Sequence, residues 1–244
     1  MTITEQAAEK KPEAPKAVAR QYVNFIFYNI DRALRFESEE VRSQARTEFG
    51  DIVDRYRKQF QIHTYSTLGV KAGIDFMLWR IGYEIEPMEM MTSEIGKSVL
   101  GRHLNVPASY LAMTKHSTYV EEHVHEGQEG RRLRIVAGKS KYLFVYPFVK
   151  TRPWYMLPMP ERQRMMNSHI AIGHKYPTVK INTTYSFGLD DQEFVVAFET
   201  DSPPDFLDLV QELRETEASS YTLRDTPMYT CRRQEIGEIL NALM

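Results

Sequence analysis

The chain has 244 residues, and its 31 basic and 33 acidic side chains leave a formal net charge of -2. So even a balance gives no field that would draw the protein onto nucleic acid or anionic lipid by charge alone. The single cysteine, Cys231, forms neither an intrachain disulfide nor a thiolate zinc site, and the longest apolar run, about Tyr142 to Val149, is far shorter than the ~20 residues a spanning helix needs.

Residues 1–18 carry Glu5, Glu9, Lys10, Lys11, Glu13 and Lys16 with Pro12 and Pro15, and read as a disordered tail without a signal-peptide hydrophobic segment. With the lone cysteine, this predicts a cytoplasmic protein. Val23 to Ile30 reads as a strand. Ser38-Glu39-Glu40 then opens a helix whose Val41, Ala45, Phe49, Ile52, Val53 and Tyr56 recur at helical spacing. Strands are expected over Gln61 to Leu68 and Asp75 to Tyr83, around a turn with Gly69 and Gly73. A helix from near Pro87 to about Leu104 and a strand from Ser109 to Thr114 complete a βαββαβ half over residues 19–120.

After a polar connection over residues 121–140, the order repeats in residues 141–244. A strand at Tyr142 to Val149, a helix from Pro160 to about His174, strands at Thr178 to Ser186 and Glu193 to Thr200, a helix from Pro203 to about Thr216 and a strand near Met228 to Cys231 follow in turn. Thr64-Tyr65-Ser66 before Asp75-Phe76 matches Thr184-Tyr185-Ser186 before Glu193-Phe194, and internal duplication explains both the order and the match. A βαββαβ unit leaves one sheet face bare, so the fold class expected is α+β, two ferredoxin-like halves closing into a dimeric α+β barrel within one chain. Two separate ferredoxin-like domains on a linker at Glu121 to Gly130 are the alternative, and each would expose an apolar sheet face.

The chemistry-bearing residues concentrate in the second half. Met166, His169, Ile170 and Gly173 share one helical face, so the imidazole points where apolar side chains point; by periodicity alone such a histidine is more often a satisfied core residue than a ligand. Tyr146 and Lys150 fall in Tyr146-Pro147-Phe148-Val149-Lys150, followed by Trp154-Tyr155-Met156-Leu157-Pro158 and later by Gly188-Leu189-Asp190-Asp191. Taken singly, Tyr146 reads as a barrel-filling aromatic, Lys150 as a solvated lysine, Trp154 as packing and Arg132 as part of the basic run Arg131-Arg132-Leu133-Arg134. His116, His123 and His125 with Glu121 and Glu122 match no strong zinc spacing.

These motifs in this order resemble the coproheme decarboxylases of the chlorite dismutase-like family, from about Arg20 onward. The resemblance implies His169 as the axial ligand of heme iron. It implies Tyr146 as the redox residue that takes hydrogen from a porphyrin propionate, with Lys150 as charge partner. It further implies Arg132 and Ser219 as propionate contacts and Trp154 as a neighbour of the heme pocket. Ile181 stands where chlorite-degrading members carry a distal arginine, and Ala218, with Glu217 one residue off, where they set a carboxylate beside the proximal imidazole; both departures disfavour chlorite chemistry. His125 or Glu129 approaches the pocket only if its loop folds over it. The implied cofactor is iron-coproporphyrin III, at once substrate and redox centre, with hydrogen peroxide as co-substrate and heme b as product. The implied assembly is a homo-oligomeric ring of five, with no nucleic-acid partner and no membrane span.

Overall fold

The computed structural model describes residues 19–119 and 134–244. The first half contains β1 (Tyr22–Ile30), α1 (Glu39–Tyr56), β2 (Gln61–Ser66), β3 (Phe76–Gly82), α2 (Glu86–Lys97) and β4 (Leu104–Met113). The second contains β5 (Tyr142–Lys150), α3 (Arg152–Met156), α4 (Met159–Gly173), β6 (Lys180–Tyr185), β7 (Phe194–Thr200), α5 (Pro203–Arg214), β8 (Thr222–Arg224), β9 (Tyr229–Arg233) and α6 (Ile236–Leu243). Short 3-10 turns at Arg32–Phe36, Leu100–His103 and Glu217–Tyr221 join them. Among the described residues no helix is long and apolar enough to cross a membrane.

Local chemistry sets most boundaries. Ser38 caps α1 by accepting from the Val41 amide, and Glu39 and Glu40 favour the positive end of the helix dipole. The helix expected to reach Leu104 stops at Lys97, because Ser98 is extended and its hydroxyl donates to the Ile95 carbonyl at 2.7 Å. Residues up to His103 then form a 3-10 turn, and β4 starts at Leu104 rather than Ser109. The early part of β4 is masked in the sequence by Pro107, which sits where the β1–β4 register shifts between the pairs Phe27–Ala108 and Asn29–Asn105. Helix α6 was not expected, although Ile236, Ile239, Leu240 and Leu243 bury one face at helical spacing.

The first half pairs its strands in the order β4-β1-β3-β2 and the second as β6-β7-β5-β9, all antiparallel, which is the ferredoxin-like order twice. Contacts β2–β9 and β4–β6 join the two sheets, so eight strands close on themselves and β8 extends the far end of β5. Strand alternation sends Val23, Phe25, Phe27, Met77 and Trp79 of one half and Leu143, Val145, Val195, Ala197 and Cys231 of the other into one shared interior. The linked-domain alternative is thereby overturned. On the outer faces, α1, α2 and α6 cover the first sheet, and α4 and α5 flank the second.

The duplication reaches individual hydrogen bonds. The Asp75 amide donates to the Tyr28 carbonyl at 2.9 Å, as the Glu193 amide does to Phe148 at 3.3 Å. The Asp75 carboxylate accepts from the Ile30 amide at 2.7 Å, and the Glu193 carboxylate from the Lys150 amide at 2.8 Å. Positions two residues back on β1 and β5 therefore pair Ile26 with Tyr146, while Ile30 pairs with Lys150. Where the first half has two isoleucines, the second has a phenol and an ammonium.

Candidate functional site

The two halves also differ in how their first long helix meets its sheet. In α1, Ala45, Phe49, Ile52, Val53 and Tyr56 are buried. In α4, one residue of fifteen is buried, Met165, while Met166, His169, Ile170, Ile172 and Gly173 on the inner side remain half-buried. An apolar helix face left half-exposed is a surface on which a flat apolar ligand can be buried.

Strand alternation turns Tyr146 and Lys150 to that same outer face. Tyr146 is 7% exposed and stacks on Phe198, with ring centroids 5.8 Å apart. Burial raises its pKa well above the usual phenol range, Asp225 adds to the rise and Arg214 opposes it. Lys150 is 8% exposed; its Nζ donates to the Ala218 carbonyl at 2.6 Å and lies 4.7 Å from the Trp154 ring centroid. Burial pushes the ammonium down to about 8, only partly offset by the Glu193 carboxylate. An ammonium has three donors, and the carbonyl takes one.

His169 sits on α4 between two apolar clusters, one holding Tyr146, Phe198 and Ile172 and the other Trp154, Met165 and Ala218. Burial, reinforced by the Lys150 charge, pushes its pKa down to about 4, so the ring is neutral at physiological pH. Its Nδ1 lies 3.3 Å from Thr216 Oγ1. Trp154, on α3, is 2% exposed and packs with Met165, Ala218 and the Tyr221 ring at 5.5 Å. Ser219 is half-buried on the turn that follows α5, next to the carbonyl that holds Lys150. Ile181, on β6, is 45% exposed and faces the end of α4, where a Cβ on Gly173 would meet its Cδ1 at 3.8 Å. Arg132, Glu121, Glu122, His123, His125 and Glu129 lie outside the described residues.

Motif residues divide between site and scaffold. Gly188, at φ 73°, turns the chain in Gly188-Leu189-Asp190-Asp191 as residues with a Cβ rarely do. Asp190 then accepts from the Leu111 amide at 2.8 Å and from Gln192 Nε2 at 2.9 Å, tying the β6–β7 turn to β4 where the barrel closes. Sequence reasoning missed Glu193, which also accepts from Tyr155 Oη at 2.5 Å. The signal was available, since Glu193 matches Asp75 in the internal repeat. It also missed Thr216, for which α5 and its end offered no local pattern.

The family model described as chlorite dismutase matches residues 42–234. The chain belongs to the chlorite dismutase family. A coproheme decarboxylase of Mycolicibacterium smegmatis is 30% identical over 180 residues, covering 73% of this chain and 75% of that protein. Among solved structures, a mutant chlorite dismutase from Candidatus Nitrospira defluvii superposes with a TM-score of 0.83 at 24% identity, over 91% of this chain and 95% of that one. A putative chlorite dismutase superposes with a TM-score of 0.78 at 22% identity, over 92% and 100% respectively. At that identity the two structures establish the duplicated fold of the family.

Proposed function

We propose that this chain is a hydrogen-peroxide-dependent coproheme decarboxylase that converts iron-coproporphyrin III to heme b. The observation that carries the reading is the buried Lys150 ammonium, on the same strand face as Tyr146 and electrostatically coupled to His169, with no side-chain carboxylate on its Nζ among the described residues. A cation held in that condition fits an incoming carboxylate. The half-buried inner face of α4 fits the apolar plane of a porphyrin, and the neutral imidazole of His169 fits iron. The decarboxylase relative of Mycolicibacterium smegmatis supports the same substrate class.

With iron-coproporphyrin bound, peroxide supplies the oxidising equivalents: for each of two propionates, one peroxide is reduced to water while carbon dioxide, a hydrogen atom and one further electron leave the side chain, making a vinyl group. His169 holds the iron. Tyr146, oxidised at its phenol, takes the hydrogen atom from the propionate β-carbon. Lys150 donates to the carboxylate about to be lost, with Trp154 holding the ammonium over its ring; Arg132 and Ser219 orient the carboxylates so that the β-carbon meets the phenol. Ile181 offers an apolar wall and no cation, which turns the site away from chlorite. A ring of five subunits and cytoplasmic work belong to the same proposal.

The test is to add ferric coproheme to the apo-protein, titrate hydrogen peroxide and follow products by chromatography and mass. Loss of two carboxyl groups in sequence to give heme b is expected, and Tyr146→Phe should bind coproheme yet give none. Tight binding with only porphyrin bleaching would make the chain a carrier or sensor, and rapid oxygen release from chlorite would make it a chlorite-degrading enzyme.

A further inference from the structure

Thr216 is the N-cap residue of the turn at Glu217–Tyr221. A threonine in that position normally accepts a hydrogen bond from an amide of the turn it caps. Here the side chain makes no capping bond. Its hydroxyl donates instead to the Leu213 carbonyl at 2.7 Å and lies 3.3 Å from His169 Nδ1. A hydroxyl has one proton, and a carbonyl can only accept. With that proton committed to Leu213, the contact with His169 is made by Nδ1–H donating to Thr216 Oγ1. A neutral imidazole carries one N–H, so Nε2 keeps its lone pair.

We infer that Thr216 is a positioning residue that fixes His169 in its Nδ1–H tautomer, so that Nε2 is the nitrogen offered to an iron porphyrin. The ligand in this statement rests on the proposed function; the tautomer is a property of the chain without porphyrin. The acceptor is also a neutral hydroxyl rather than a carboxylate. Glu217, one residue on, is held by Arg164 through two bonds of 2.9 and 3.0 Å, and Ala218 is fully buried against Trp154 and Met165. A hydroxyl polarises the Nδ1–H bond less than a carboxylate does, so the imidazole is a weaker donor to iron than a carboxylate-backed one.

The test uses the full-length apo-protein with nitrogen-15-labelled histidine, the His169 signals being identified by their loss in His169→Gln. Wild type is expected to show a protonated Nδ1 and an unprotonated Nε2. Thr216→Val should lose that preference, moving toward the Nε2–H form, and Thr216→Ser should restore it. Thr216→Ala serves in place of valine if circular dichroism shows that variant to be misfolded. A wild-type protein in the Nε2–H form, or a Thr216→Val spectrum identical to wild type, overturns the inference. Loaded with ferrous coproheme, Thr216→Val should also shift the iron–histidine stretch while Thr216→Ser leaves it in place. If the apo-protein shows the expected tautomer but His169→Gln binds coproheme with an unaltered absorption spectrum, the tautomer assignment stands and the iron-ligand reading fails.

Discussion

Lys150 shows how one position becomes chemical. At Ile30, its counterpart in the repeat, an apolar side chain packs under the helices of the first half, whereas the Lys150 ammonium is taken from water and given a carbonyl and an indole face. Burial brings its pKa down to about 8, below the 10.5 of a lysine in water, so the folded state releases this proton before the unfolded state does. The cost of burying the charge is therefore present below about pH 8, and the apo-protein gains stability from this group as pH rises from there toward 10.5. Ligand affinity runs the other way. Coproheme binding should weaken as pH rises through about 8 in wild type and lose that dependence in Lys150→Met, which should also bind about tenfold to a hundredfold more weakly, the worth of a charge-assisted hydrogen bond. Absorbance titrations at pH 7 and 9 decide it, and a Lys150→Met protein with wild-type affinity at both would remove the carboxylate contact.

At the scale of elements, α1 and α4 are the same helix of the repeat in two conditions, one with five residues buried and one with a single residue buried. The C-terminal helix α6 belongs with the buried kind: Leu240 is fully buried among α1 and the first sheet. Leu240→Ala should cost about 2–5 kcal/mol in chemical denaturation. Ile170→Ala on the half-buried face of α4 should cost the apo-protein only about 1 kcal/mol, and more once coproheme is bound. Equal costs in the apo-protein would mean that α4 is packed as α1 is. The sequence showed both helices as amphipathic, because 3.6-residue periodicity reports which side chains face inward; it cannot report how deeply that face is buried. The Ile236, Ile239, Leu240, Leu243 pattern was equally legible but short, and it follows the last strand that the repeat required.

Across the whole molecule, the barrel depends on two seams with few backbone pairs: Tyr65–Arg233 and Ser66–Arg232 between β2 and β9, and Met113–Tyr185 between β4 and β6. Near the first seam His63 is a weak point toward acid. Its Nε2 is buried without a hydrogen-bond partner among the described residues, its ring centroid lies 5.7 Å from that of Trp79, and burial, with Arg233 and Arg57 adding, pushes its pKa down to about 4. The unfolded chain takes up this proton near 6.5, so the stability held by the neutral ring is lost as pH falls from about 6.5 to about 4. At about 1.4 kcal/mol per pH unit this amounts to at most roughly 3 kcal/mol. Urea midpoints should fall across that window in wild type and fall less in His63→Gln; parallel curves would assign the acid sensitivity elsewhere. The sequence by itself determined the duplicated βαββαβ order, the closure implied by two bare sheet faces, and the residue types in the Tyr146–Lys150 and His169 segments, because alternation, helical spacing and motif order are local properties of the chain. Only the tertiary structure decided that the inner face of α4 stays half-exposed, that Ala218 lends its carbonyl to Lys150, and that Thr216 meets His169. Each of these joins residues 47 or more positions apart or depends on what packs over a helix face, and no pattern along the chain carries that information.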